Sequence, residues 1–296
     1  VNLRDLDKQL ELTKETARNY KESYDIFKLR FEYGIVSEVE VSQSKSQYEQ
    51  ALSNIPFFEK LISQQENALS VLLGRNPGPI PRGKTIDELR PPVVPAGLPS
   101  DILANRPDIR QAEQNLIAAN ANIGVAKALY YPSISLTGLL GLASNDLSDL
   151  FKGPAKTWSW AVPITAPIFT AGAIAGQVQS AEAVQQQALF TYEQSIQTAF
   201  REVDDALVDQ GRTREQLEAL AQQVGALRDY ARLAWLRYDN GYTSYLEVLD
   251  AQSRLYNAEL TQAQTQGALF QALVNVYKAM GGGWVTEADK LTDASR

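Results

Sequence analysis

"LRYDNGYTSYLEVLDAQ" (residues 236–252) interrupts a helical pattern at Asp239-Asn240-Gly241 and resumes it at once, with Glu247 and Asp250 just past the break. Upstream, Leu217, Leu220, Val224, Leu227, Ala231, Ala234 and Tyr238 recur with a 3.5-residue period. Downstream, Leu246, Leu249, Ser253, Tyr256, Leu260, Ala263, Phe270, Val274 and Tyr277 continue on one seam until Gly281-Gly282-Gly283 stops it. The stretch is therefore the tip of a helical hairpin. At 1.5 Å per residue its legs, residues 171–239 and 244–280, would run roughly 100 Å and 55 Å, lengths that suit a coiled coil rather than a compact globule.

The tip occurs twice. Leu3, Leu6, Leu10, Ala17, Tyr20, Tyr24, Phe27 and Phe31 keep the same period up to Gly34. A single offset of 207 positions pairs Leu29-Arg30 with Leu236-Arg237, Gly34 with Gly241, Glu40-Val41 with Glu247-Val248 and Gly74 with Gly281. An internal duplication this long excludes a solenoid of 20 to 50-residue units. The copies differ: Pro56 is expected to kink or interrupt the second leg of the first hairpin near Ile55, and Gln43 stands where the second copy has Asp250.

The divisions expected are a helical hairpin over 1–74, a Pro/Gly-rich extended connector over 75–100, a second repeat over 101–281 and a tail over 282–296. The second repeat opens with "RPDIRQAEQ", where Pro107 suits a first helical turn. Its seam alternates Ile109, Leu116 and Ile123 with Ala112, Ala119 and Ala126, and ends at Tyr130-Tyr131-Pro132. Two runs of period 2 follow, at about 131–143 and 157–168. Ile134, Leu136, Leu140 and Leu142 alternate with Ser133, Ser135, Thr137 and Gly141; Trp158, Trp160, Val162 and Ile164 alternate with Thr157, Ser159, Ala161 and Thr165. Each has the length of a membrane strand and aromatic residues near its ends, a pattern equally open to a soluble hairpin packed on helices.

Composition removes several classes of function. The chain of 296 residues has 44% hydrophobic residues, enough for a core, and a formal charge of −7 from interspersed acids and bases, which disfavours nucleic acid. It has neither His nor Cys, so thiol nucleophiles, imidazole bases, disulfides and the commonest zinc ligands are absent. No catalytic motif or phosphate loop is present, and no cofactor or metal is expected. No apolar run reaches the ~18 to 20 residues of a membrane helix, so any span is β.

The order "RPDIRQAE", "AANANIGVAKALYYPSISLTG", "PIFTAG", "IQTAFREVDDAL", "LRYDNGYTSYLEVLDAQ" and "VYKAMGGGW" resembles outer-membrane efflux ducts of the TolC superfamily, in particular the OprM-type lipoprotein branch that serves RND drug pumps. The resemblance runs from residue 1 to Trp284. It implies a mainly α fold with a β membrane portion: a homotrimer whose long coiled-coil helices form a periplasmic α-barrel below a shared twelve-stranded transmembrane β-barrel. Four strands per protomer are expected of the family and two are visible, so the chain is expected to lack an N-terminal part, including the position of any lipidated Cys.

The resemblance further implies a passive exit duct in the Gram-negative outer membrane that takes drugs or other small solutes from an inner-membrane RND-type pump through a periplasmic adaptor. Leu246, Glu247 and Asp250, with Glu40 of the first copy, would line the periplasmic gate. Gly34, Ile35, Val36, Ser37, Gly241, Tyr242, Thr243 and Ser244 would form the tips that meet the adaptor. Ile134, Leu136, Leu140, Trp158, Trp160 and Val162 would face lipid. TolC-type members carry an arginine where this chain has Thr243, which puts a lock made by that arginine in doubt. From the residues alone Glu247 and Asp250 read first as a pair of solvated helix acids, and it is the resemblance that makes them gate residues. The alternatives are a structural coiled-coil protein without a pore, or a type I secretion or metal-efflux duct of the same fold.

Overall fold

The computed structural model describes residues 1–90 and 106–282. Among them are the helices α1 (Asn2–Glu32), α2 (Glu38–Leu72), α3 (Pro107–Ala128), α4 (Ala173–Asp239) and α5 (Tyr245–Ala279). The strands are β1 (Ser133–Ile134), β2 (Thr137–Leu142), β3 (Lys156–Ala161) and β4 (Ile164–Thr165). Contacts group the chain into two units, one of residues 1–99 and 201–296, the other of residues 100–200. The end of "VYKAMGGGW", most of the 282–296 tail and the last part of the 75–100 connector lie outside the described residues.

In the first unit α1 packs on α2 and on α5. Its buried stripe is Leu3, Gln9, Thr13, Ala17, Tyr20, Ser23 and Phe27. This corrects the expected seam, in which Leu6 and Leu10 were central: they are half-buried, and Phe31 is exposed. The stripe rotates because α1 meets two neighbours and polar residues join it with partners. The Thr13 hydroxyl donates to the Gln9 carbonyl at 2.8 Å and lies 3.0 Å from the Tyr256 hydroxyl, while Gln264 Nε2 donates to Gln9 Oε1 at 3.0 Å. On α5 the same widening leaves Leu246 and Val274 exposed, and buries Tyr245, Val248, Leu249 and Ala251.

Pro56 does not interrupt α2, which is continuous from Glu38 to Leu72. Its ring sits on the exposed side. Packing holds the helix before and after it: Ala51, Leu52 and Ile55 lie against Ala17 and Tyr20 of α1, and Phe58 is buried. Tertiary burial here outweighs the roughly 3 kcal/mol that an interior proline costs.

The start of the connector is pinned rather than loose. Arg82 pairs with Asp7 of α1 at 2.9 Å and with Glu66 of α2 at 2.5 Å. Arg4 donates to the carbonyls of Lys84 and Gly83 at 2.7 and 3.2 Å, and Lys8 pairs with Asp87 at 2.9 Å. Ile86, in a single 3-10 turn (Ile86–Glu88), is fully buried against Phe270 and Leu273 of α5. Residues 80–88 thus strap three helices together.

In the second unit Pro107 opens α3 as expected. Ile109, Ala112, Ala119 and Ala126 are buried, with Leu116 and Ile123 half-buried between them. Strand pairing follows one register throughout: Ile134 opposite Ile164, Gly138 opposite Trp160, Leu140 opposite Trp158 and Leu142 opposite Lys156. The four strands are thus one antiparallel hairpin, broken where Pro163 has no N–H to give. Its carbonyl still accepts from Ser135 N–H at 3.2 Å. Because paired residues share a face, Ile134, Leu136, Leu140, Trp158, Trp160 and Val162 lie together on one side, all exposed in the single chain. Ser133, Ser135, Thr137, Ser159 and Thr165 lie on the other; Leu139 and Ala161 are the apolar residues among them.

Candidate functional site: the paired hairpin tips

Each tip is closed by the same backbone device. Gly34 and Gly241 adopt φ +68° and +76°, where a side chain would be strained. After each, the next N–H reaches back five residues, Ile35 to the Arg30 carbonyl and Tyr242 to the Arg237 carbonyl, both at 2.8 Å. This ends α1 and α4 with their last carbonyls satisfied. Ile35 and Tyr242 project outward, about 70% and 77% exposed, while Val36 folds back onto the core.

The following helices start differently. At Ser37 both the N–H and the hydroxyl donate to Glu40 Oε2, at 2.8 and 3.3 Å, a capping box. At the second tip Ser244 makes no side-chain cap. There the Thr243 hydroxyl bonds Glu247 Oε2, and Arg237 donates to Glu247 Oε1 at 3.1 Å.

An aromatic cluster joins the two tips. Phe27 of α1, fully buried, lies with its ring centroid 4.0 Å from that of Tyr245 on α5, and 5.8 and 6.2 Å from Tyr238 and Trp235 on α4. Such pairs add roughly 0.5–1.5 kcal/mol each beyond burial. Two polar contacts cross beside them: Arg30 pairs with Asp239 at 2.8 Å, and the Tyr238 hydroxyl donates to Glu40 Oε1 at 3.1 Å. Burial, reinforced by the Glu40 carboxylate, pushes the Tyr238 phenol up to about 12, so it remains a donor across physiological pH.

The duplication is thereby broken in a definite way. In the second copy the arginine and glutamate of the repeat, Arg237 and Glu247, bond each other. In the first copy their counterparts part company, Arg30 turning to Asp239 and Glu40 to Tyr238.

The expected gate residues separate into two settings. Leu246 and Asp250 lie one turn apart, both exposed, and Asp250 is bonded at 2.9 Å by Arg254 of the next turn. Glu247 is three-quarters covered and held by Thr243 and Arg237. Glu40 is committed to its own helix start and to Tyr238. Sequence reasoning missed Arg254, although an acid and a base four apart on a helix signal such a pair. It also missed Arg30 and Tyr238 as partners of residues about 200 positions away, for which no local signal exists.

The chain thus combines coiled-coil hairpins ending in paired tips with a β-hairpin apolar along one exposed face. The family model for outer membrane efflux protein matches residues 1–75 and 98–282, and the chain belongs to that family. It is 43% identical over 276 residues to the solvent efflux pump outer membrane protein SrpC of Pseudomonas putida, covering 93% of this chain and 59% of the relative. It is 40% identical over 278 residues to the cation efflux system protein CusC of Escherichia coli, covering 93% and 60%. Among solved structures, CusC, described in terms of folding and transmembrane channel formation, superposes with TM-score 0.85 at 38% identity over 95% of this chain and 66% of that one. The open state of the Neisseria gonorrhoeae MtrE outer membrane channel does so with TM-score 0.80 at 34% identity over 95% and 64%. The chain thus spans about 60% of the length of these curated relatives.

Proposed function

We propose that this chain forms part of a passive outer-membrane exit duct, assembled as a homotrimer and fed by a periplasmic adaptor and an inner-membrane RND-type pump. The observation that carries the reading is the single β register. It gathers Ile134, Leu136, Leu140, Trp158, Trp160 and Val162 on one exposed face opposite a mostly polar one, as a barrel strand pair between lipid and a wet lumen requires. Among the described residues no helix is long and apolar enough to cross a membrane.

In this reading the tips are the periplasmic end. The exposed residues around Gly34–Ser37 and Gly241–Ser244 meet the adaptor, and Leu246, Glu247 and Asp250, with Glu40 as a static brace, surround the constriction. No covalent chemistry is involved. Relatives of nearly equal similarity are named for solvent, antibiotic and cation efflux, which supports a duct that does not choose its cargo. Drug-type or solvent solutes are the favoured cargo because most of the close relatives carry those names.

The test is planar-bilayer conductance of the protein expressed from its complete gene. A trimer with steady conductance is expected, and Leu246→Ala should raise the resting level by loosening an apolar constriction. Asp250→Asn and Glu247→Gln together should lower cation preference. A protein that stays monomeric and water-soluble without detergent, or that never conducts, refutes the duct.

A further inference from the structure

Resting on the duct reading, we infer that the constriction is not ringed by bare carboxylates, because each acid of the second tip carries its own arginine, and that Arg254 and Arg237 set its ion preference. Asp239 is paired with Arg30 at 2.8 Å, Glu247 with Arg237 at 3.1 Å and Asp250 with Arg254 at 2.9 Å. These are three different geometries: across hairpins, across one tip and along one helix. The remaining acid in this constellation, Glu40, is engaged by Ser37 and Tyr238 rather than by a cation.

The physical consequence concerns range. A lone carboxylate at the wall acts on a passing ion as a full charge, whereas a carboxylate with a guanidinium 3 Å away acts as a dipole, whose field falls off faster with distance. On a three-fold axis, three paired acids repel one another far less than three bare ones, so the closed tips can approach without a bound cation. The side chains of Arg254, Arg237 and Asp250 are exposed, with 65%, 56% and 45% accessible. They contribute little to stability and can be exchanged without unfolding the tip, so their effect is read in permeation.

The arginines therefore work against cation selection. Removing one uncovers a unit of negative charge per protomer. Taking about 10 Å from wall to axis, Coulomb's law in water with Debye screening, summed over the three protomers, gives a rise of roughly fivefold in the cation-to-anion permeability ratio at 0.1 M salt, fading at 1 M.

The experiment measures reversal potentials of the complete trimer under a salt gradient. Arg254→Gln is expected to raise the ratio about fivefold, Arg254→Lys to bring it back, and Asp250→Asn with Arg254→Gln to return it close to wild type. Arg237→Gln gives a second, independent reading through Glu247 if Arg254→Gln fails to assemble. A ratio unmoved by either arginine substitution but lowered by Asp250→Asn overturns the inference and leaves the duct standing, since the acids then act as a bare ring. A wild type that does not conduct overturns both.

Discussion

Asp5 shows how one residue can be held at a cost. It sits against Gly267 of α5, where an added Cβ would come within 2.7 Å of the Asp5 Cγ and 2.9 Å of its Cβ. Burial raises its carboxyl above the ordinary value of 3.8, and the bond donated by Gln9 at 3.0 Å opposes that only in part. An acid whose folded pKa lies above its unfolded one weakens the fold when ionised. The penalty is therefore fully present above the folded pKa and disappears as pH falls below 3.8. Asp5→Asn, which keeps an acceptor for Gln9, is expected to raise the melting temperature at pH 7 and to lose that advantage near pH 3. Equal melting gains at both pH values would contradict it. Gly267→Ala is expected to destabilise by about 1–3 kcal/mol through overpacking, although alanine is the better helix former. Denaturant titration of both variants checks the pair.

At the scale of elements, the strap over residues 80–88 and the β-hairpin make contrasting predictions. Ile86 is fully buried between Phe270 and Leu273, so Ile86→Ala should cost about 2–5 kcal/mol from lost transfer energy and the cavity left behind. Protease cleavage near residues 75–90 should accelerate with it. Little change in either would mean that the ion pairs of Arg82, not the apolar anchor, hold the strap. In the hairpin, Leu136 and Thr137 are adjacent but point to opposite faces. Under the duct reading Leu136→Lys near the membrane midplane should cost roughly 2–4 kcal/mol of barrel stability, while Thr137→Lys should cost little. Heat resistance of the detergent-purified trimer distinguishes them, and equal tolerance would remove the lipid-facing assignment.

At the scale of the molecule, the cross-tip contacts tie the two hairpins into one body near their ends. Phe27 plugs the aromatic cluster, and the bonds Arg30 to Asp239 and Tyr238 to Glu40 brace it. If the tips close a duct, combining Arg30→Gln with Tyr238→Phe should raise its resting conductance while leaving the trimer assembled, because hydrogen bonds and an exposed ion pair contribute only about 1 kcal/mol each. Phe27→Ala should instead cost about 3–5 kcal/mol and reduce assembly. An unchanged resting conductance in the double variant would place the closure elsewhere than at these contacts.

Much of this architecture is local in origin and so legible in the chain itself. Helical period, glycine at positive φ after each first leg, Pro107 at a first turn and period-2 alternation in both strands act within a few residues, and each marks its element where it is found. The duplication likewise shows at a fixed offset. What the chain alone misjudged depends on neighbours distant in sequence. The proline at 56 is carried because α1 covers the helix around it, and the seam of α1 turns because α5 offers Tyr256 and Gln264 to Thr13 and Gln9. The acids were visible as residues, but most of their partners were not. Glu40 and Arg30 find partners about 200 residues away, and the fold chose between two nearly identical copies of one Arg–Glu pair, joining one and dividing the other. Local periodicity determines where a helix runs, which face it offers and which charges lie a turn apart on it; only packing decides which charged groups on different helices come within about 3 Å of one another, because that distance is set by how whole helices lie together.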